Sequence, residues 1–164
     1  MKKIIISGIL VVLWMIMIFI LSGMNSVESN NKSKEIIGNF IGEKEIKDSD
    51  IKVWNEVNEE NLDNMNFIFR KIAHATVYLV LSFFVCNFFY QLKKRRFKNN
   101  YLISIIICLF YAIFDEYHQT FVAGRNGNYL DVLIDLVGAI IGSIVFYMVV
   151  KVIKNSKKTH LLNT

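Results

Sequence analysis

Residues 101–119 read YLISIIICLFYAIFDEYHQ, and residues 120–150 continue TFVAGRNGNYLDVLIDLVGAIIGSIVFYMVV. The first run stays uncharged from Tyr101 to Phe114 and then meets Asp115 and Glu116. An uncharged stretch of this length is short for a membrane span. Extending it to Gln119 gives a helix of roughly 28 Å at about 1.5 Å per residue, which matches the hydrocarbon thickness. Asp115, Glu116 and Gln119 are therefore expected at the membrane edge or just inside it. Gly124, Arg125, Asn126, Gly127 and Asn128 follow as turn formers. The second run, about 132–150, is again apolar apart from Asp135. The stretch reads as two membrane helices joined by a short polar loop.

Working outward, another apolar run covers about 72–92 and ends in Lys93-Lys94-Arg95-Arg96-Phe97-Lys98. At the N-terminus Ile4 to Leu21 carries no charge and follows Lys2 and Lys3. Eighteen residues make about 27 Å of helix, enough to span. A cleaved signal peptide is the competing reading. It is disfavoured because the run exceeds a usual h-region and no Ala-x-Ala-like site follows. The expected fold is all-α: a single 164-residue domain with four transmembrane helices, about 4–21, 72–92, 101–119 and 132–150, in a small bundle. Hydrophobic residues make up 54% of the chain, more than an ordinary soluble domain carries.

The long segment 22–69 is polar and holds ten of the fourteen acids. Ile51, Trp54, Val57, Leu62, Met65 and Phe69 recur at roughly helical spacing, so an amphipathic helix over about 51–69 is expected on the membrane surface, continuing into the second span.

The net charge of +5 raises a nucleic-acid reading, but the basic residues sit in short clusters beside apolar runs, as membrane-flanking charge does. With the N-terminus in the cytoplasm, the N-terminal end, the loop after the second span and the C-terminal tail hold eleven Lys and Arg and no acid. That bias predicts both termini inside and a multi-pass protein of the cell membrane. Cys86 and Cys108 lie in apolar runs, which argues for free buried thiols, and no Cys/His zinc spacing occurs.

This topology delivers polar groups from four stretches to one level of the outer face. Lys71, His74 and Tyr78 form one helical stripe. Asp115 and Gln119 share a face, with Glu116 three before Gln119. Arg125 is in the loop, and Asp131 and Asp135 open the last span. Charges inside a membrane cost about 2.5–3.5 kcal/mol at its centre and mark functional sites by default. Arg125 is the best bidentate clamp for phosphate or carboxylate, with Lys71 adding charge. His74 beside a carboxylate is a candidate general acid or base near neutral pH. Glu116 and Asp115 are the other catalytic candidates, while Lys71, Tyr78, Gln119, Arg125, Asp131 and Asp135 are candidate binding residues. The alternative is an ion-pair network that only fastens the helices. Gly138 and Gly142 continue the Asp131/Asp135 face and are read as helix packing. His118 lies off the Asp115 face, and Phe83, Phe84, Phe88 and Phe110 are read as lipid or packing contacts. No metal site, cofactor or oligomeric state is readable, and without an inverted repeat a monomeric carrier is disfavoured.

The string Lys71-x-x-His74-x-x-x-Tyr78, then Asp115-Glu116-x-x-Gln119-x-Phe121-x-x-x-Arg125 and Asp131 with Gly138, resembles the VanZ-like family across nearly the whole chain, including Leu21-Ser22-Gly23. Asp135, where Asn is common in that family, and Ala123 before Gly124-Arg125 are departures. The resemblance implies a four-span fold and a link with resistance to teicoplanin, a lipid-tailed glycopeptide acting at the outer membrane face. The expected partners are membrane lipids or lipid-linked envelope precursors.

Overall fold

The computed structural model describes the backbone of residues 1–24, 51–93, 97–125 and 127–162. Four helices result: α1 (Lys2–Ser22), α2 (Ile51–Lys93), α3 (Phe97–Gln119) and α4 (Tyr129–Leu162), with no strand among the described residues. Each carries a stretch long and apolar enough to cross a membrane: Lys2–Ser22, Phe67–Leu92, Asn100–Gln119 and Tyr129–Ser156. The protein is an all-α, multi-pass membrane bundle.

The expected spans lie inside these stretches, but the helices run further. Neither Gly nor Pro occurs in 51–93 or in 143–162, so nothing breaks the backbone hydrogen-bond ladder where the apolar run stops. Charge marks the edge of the bilayer, not the end of the helix. The segment 51–66 accordingly belongs to the same continuous helix as the second span. The side chains of 51–63, which would define the expected amphipathic face, lie outside the described residues, as do residues 25–50, Lys94-Arg95-Arg96 and the side chains of Lys157, Lys158 and His160.

The helices alternate in direction. Gly8, early in α1, faces Phe88, late in the α2 span, whereas Gly23 just after α1 faces His118 near the end of α3. Lys71 and Asp131, both near the start of their spans, pair with each other. One end of the bundle therefore gathers the end of α1, the start of the α2 span, the end of α3 and the start of α4.

Packing is inverted relative to a soluble protein. Ile5, Leu13, Phe110, Ile113, Val137 and Ile144 are each at least half exposed, as lipid-facing side chains are. The interior combines a few large apolar side chains with small and polar groups. A core of Ile18, Tyr78, Leu81, Val85, Cys108, Ala112 and Ala139 joins all four helices. Below it Ser82 Oγ lies 2.6 Å from Ser143 Oγ and 3.2 Å from Ser104 Oγ, and Ser104 Oγ donates to the Ser82 carbonyl at 3.0 Å. These hydroxyls tie α2, α3 and α4 together where no water can satisfy them. Cys86 and Cys108 are buried and free.

The most extensive helix contact is between α2 and α4. Gly138 and Gly142 make it possible. A Cβ at Gly138 would lie 2.8 Å from the Ala75 carbonyl carbon, and one at Gly142 would lie 2.8 Å from that of Leu79. Only hydrogen fits there, so the backbones touch. Helix α1 docks by side chain to backbone bonds: Trp14 Nε1 donates to the Val77 carbonyl at 2.9 Å, and Tyr111 Oη donates to the Met15 carbonyl at 2.6 Å.

Candidate functional site

All nine residues singled out in the sequence meet at the end of the bundle just described. The close approach permitted by Gly138 and Gly142 sets α2 against α4, and the two upper pairs form across that seam. Lys71 Nζ pairs with Asp131 Oδ1 at the rim, where both side chains remain 20% exposed. Lys71 also sits over the Phe67 ring, 5.0 Å from its centroid. One turn deeper, His74 Nδ1 lies 3.5 Å from Asp135 Oδ1; the imidazole is partly exposed, whereas Asp135 is fully buried.

The end of α3 supplies the opposite wall. Asp115, Glu116 and Gln119 are all buried there. Gln119 Nε2 donates to Glu116 Oε1 at 3.0 Å and to Asp115 Oδ2 at 3.4 Å, while its Oε1 accepts from Arg125 Nη1 at 3.2 Å. The amide is thus oriented with its donors toward the acids and its acceptor toward the cation. Glu116 Oε2 accepts from the Asn128 backbone N–H at 2.9 Å, so both oxygens of Glu116 are satisfied.

The loop is shaped to return Arg125 onto this wall. Gly124 has φ +74°, a left-handed conformation that side chains disfavour. Arg125 N–H then bonds the Val122 carbonyl at 3.1 Å, and the side chain folds inward to only 9% exposure. Asn128 ends the loop: its Oδ1 accepts from Leu130 N–H at 3.1 Å and caps α4. Asp131, in the first turn of α4, complements the positive end of the helix dipole.

Arg125 is electrostatically unusual. Burial and the neighbouring Arg70 pull its pKa down from the ordinary value, and Asp115 and Glu116 oppose that. A guanidinium stays charged at any physiological pH regardless. Yet among the described residues no carboxylate pairs with it directly and its one side-chain hydrogen bond goes to a neutral amide, and its Nε has no partner. It is a buried cation with donors to spare.

Beneath lies a floor of oxygen atoms. Tyr78 is buried and interacts with both Asp115 and Asp135. Ser22, closing α1, adjoins Asp115. Among the described residues, no set of three or more His, Cys, Asp or Glu is placed to hold a metal ion. His118 is not part of this arrangement; its ring lies 4.1 Å from that of Phe19 and borders a groove between α1 and α3.

The VanZ/LLP1 family model matches residues 8–151. The chain belongs to this family. The match reaches into all four membrane stretches and includes every residue of the VanZ/LLP1 polar layer described above. No curated protein and no solved structure matches the chain.

Three participants escaped the sequence reading of this VanZ/LLP1 protein. Ser22 entered that reading only within Leu21-Ser22-Gly23 at the close of the first span, and not as a site residue. Asn128 looked like a turn former and is in addition a helix cap and the source of the N–H that holds Glu116. Arg70, beside Lys71, belongs to the electrostatic surroundings of Arg125, and only its adjacency to the stripe pointed to it.

Proposed function

We propose that this VanZ/LLP1 protein binds phosphate-bearing envelope lipids or lipid-linked precursors through its polar layer, at the outer face of the cytoplasmic membrane. Both termini then lie in the cytoplasm, consistent with the eleven Lys and Arg and no acid in the N-terminal end, the segment after the second span and the C-terminal tail. Altered access of teicoplanin-type glycopeptides to the envelope follows as the physiological consequence.

The observation that carries this reading is Arg125. A buried guanidinium without a carboxylate partner among the described residues, its neighbour Glu116 already engaged with Gln119 and Asn128, is costly unless an anion completes it. Phosphate matches its planar donor fork. The apolar groove between α3 and α4, about 460 Å³, supports a lipid as the bearer of that phosphate. Its walls include the lipid-exposed Ile113 and Leu133, and it reaches Glu116 and Asn128, so a tail can lie in it while the headgroup meets the polar layer.

A catalytic form would use His74 as proton donor or acceptor, oriented by Asp135 through Nδ1. Glu116, with both oxygens accepting hydrogen bonds, is better suited to positioning the loop than to moving protons. Asp115 retains an oxygen without a donor.

The Lys71–Asp131 pair across the α2–α4 seam favours a second reading, an assembly protein whose charges only fasten helices. Arg125→Gln separates the two. At matched expression, lipid binding predicts loss of co-purifying phospholipid and of any glycopeptide phenotype with folded yield retained. Unchanged lipid content and phenotype in a folded Arg125→Gln protein would favour the assembly reading.

A further inference from the structure

The floor of the site has a chemical sense that the rim lacks. Asp115 Oδ1, both carboxylate oxygens of Asp135, Tyr78 Oη and Ser22 Oγ are all buried without a hydrogen-bond partner. Their residues are between 0% and 4% exposed. They come from α1, α2, α3 and α4, so this is a convergence of all four helices and not a run of acids on one. The Tyr and Ser hydroxyls can rotate to donate or accept, but an ionised carboxylate only accepts. Asp115 Oδ1 and both oxygens of Asp135 are therefore acceptors that no protein N–H fills, and the hydroxyls of Ser22, beside Asp115, and Tyr78 are the donors at hand.

Lys71 is held by Asp131, and Gln119 spends its donors on Glu116 and the other oxygen of Asp115. His74 Nδ1 lies within ion-pair distance of Asp135 Oδ1, at 3.5 Å, and Asp135 Oδ2 is left without a donor. An anion would be repelled from this floor. A metal needs a tighter ligand shell than the carboxylates and His74 provide. A primary ammonium fits: it carries three N–H donors and bonds acceptors at about 2.8 Å on separate sides.

The polar layer thus pairs a donor-rich site at Arg125 with an acceptor-rich floor at Asp115 and Asp135, and Arg125 and Asp115 lie within electrostatic reach of each other. We propose that the ligand is a phospholipid whose phosphate-linked headgroup ends in a primary ammonium, the phosphate on Arg125 and the ammonium on Asp115, Asp135 and Tyr78. This rests on the phosphate-lipid reading above and narrows it to a zwitterionic, ethanolamine-type headgroup. Entry is past the partly exposed Lys71, His74 and Asp131.

The test uses the full chain in nanodiscs of phosphatidylcholine, titrated with phosphatidylethanolamine or with its N-methyl and N,N-dimethyl forms, with bound lipid counted by native mass spectrometry. Phosphatidylglycerol, which has a phosphate and no amine, is run in parallel. The expected result is a preference for phosphatidylethanolamine over phosphatidylcholine of about tenfold. It should decline stepwise as each N–H is replaced by methyl, and disappear in Asp135→Asn. The methyl series needs no variant, so it decides even if Asp135→Asn does not fold. Equal retention of all four amine lipids, with phosphatidylglycerol binding still dependent on Arg125, would overturn the ammonium assignment and leave the phosphate reading intact. No Arg125-dependent retention of any of these phospholipids would overturn both. Stabilisation by Na⁺ or Mg²⁺ that requires Asp135 and abolishes the ethanolamine preference would make the floor a metal site and also overturn the proposal.

Discussion

Gly138→Ala should destabilise the bundle, although the substitution favours a helix in isolation. Alanine is better than glycine within a helix by about 1 kcal/mol, and that intrinsic term pushes toward stability. At Gly138, however, the new Cβ would lie 2.8 Å from the Ala75 carbonyl carbon and 2.9 Å from its Cα, with the carbonyl oxygen nearer still. Ordinary contact begins near 3.4 Å, so α2 and α4 must part by at least 0.6 Å, the difference between 3.4 and 2.8. The obstacle is backbone, which cannot rotate away as a side chain would. Overpacking of this kind costs roughly 1–3 kcal/mol, and the upper half of that range applies to a backbone collision. Against the helix-propensity gain, the net loss should be about 1–2 kcal/mol. The seam also carries Lys71–Asp131 and His74–Asp135. Parting it should weaken lipid binding beyond what stability alone explains. The assay is thermal or denaturant unfolding in a fixed detergent, with Val137→Ala, on the lipid-facing side, as control. A Gly138→Ala protein as stable as wild type, or no worse than the control, would refute the close approach of α2 and α4.

Other consequences are equally specific. Ser82→Ala should cost about 1 kcal/mol in the same unfolding assay, since Ser82 Oγ touches two hydroxyls. The Ser82→Ala/Ser143→Ala double variant should fall short of the sum of the singles, because they share one bond. Lys71→Met should change stability by no more than about 1 kcal/mol, as its pair with Asp131 is partly solvated; a larger loss would move weight to the assembly reading. Gly124→Ala should cost roughly 1–2 kcal/mol, through the left-handed φ of 74°, and reduce phospholipid retention by letting Arg125 swing off Gln119. For orientation, Tyr129→Cys should label with an impermeant maleimide from outside intact cells, and Lys151→Cys only after permeabilisation. Labels on the reverse sides would overturn the outer placement of the site. Cys86 and Cys108 are buried and should stay silent in both.

The four spans were readable because a bilayer imposes a blunt rule: a helix of membrane length must be apolar, and charges fall at its ends. The polar layer was readable for the same reason. Asp115, Glu116, Asp131 and Asp135 stand out against apolar runs, and helical spacing puts Lys71, His74 and Tyr78 on one stripe. Which group meets which was not readable. Lys71 might have met any of four carboxylates, and its pairing with Asp131 depends on how α2 and α4 rotate about the Gly138–Gly142 contact. The role of Gln119 as the common partner of two acids and Arg125 likewise exists only in three dimensions. Ser82, Ser104 and Ser143 went unremarked because a lone hydroxyl hardly alters the hydropathy of a span; it can bond its own helix backbone, so its presence carries little information until three of them meet.

The same layer contains satisfied and unsatisfied groups, and their division separates fastening from function. Glu116 and Gln119 complete their bonds within the protein, and so does the Lys71–Asp131 pair. These hold the loop and the α2–α4 seam in place, and an assembly protein would need nothing more. Arg125 Nε, Asp115 Oδ1, Asp135 and Tyr78 remain incomplete although Asp115, Asp135 and Tyr78 are at most 1% exposed and Arg125 only 9%. Unmet hydrogen-bonding groups in a membrane interior are selected against unless something outside the protein completes them. Opposite charges left unpaired side by side are harder still to explain as fastening, because Arg125 and Asp115 interact at a distance without closing an ion pair. A ligand with an anionic and a cationic group would remove both deficits at once, whereas a purely structural network would have collapsed into direct salt bridges.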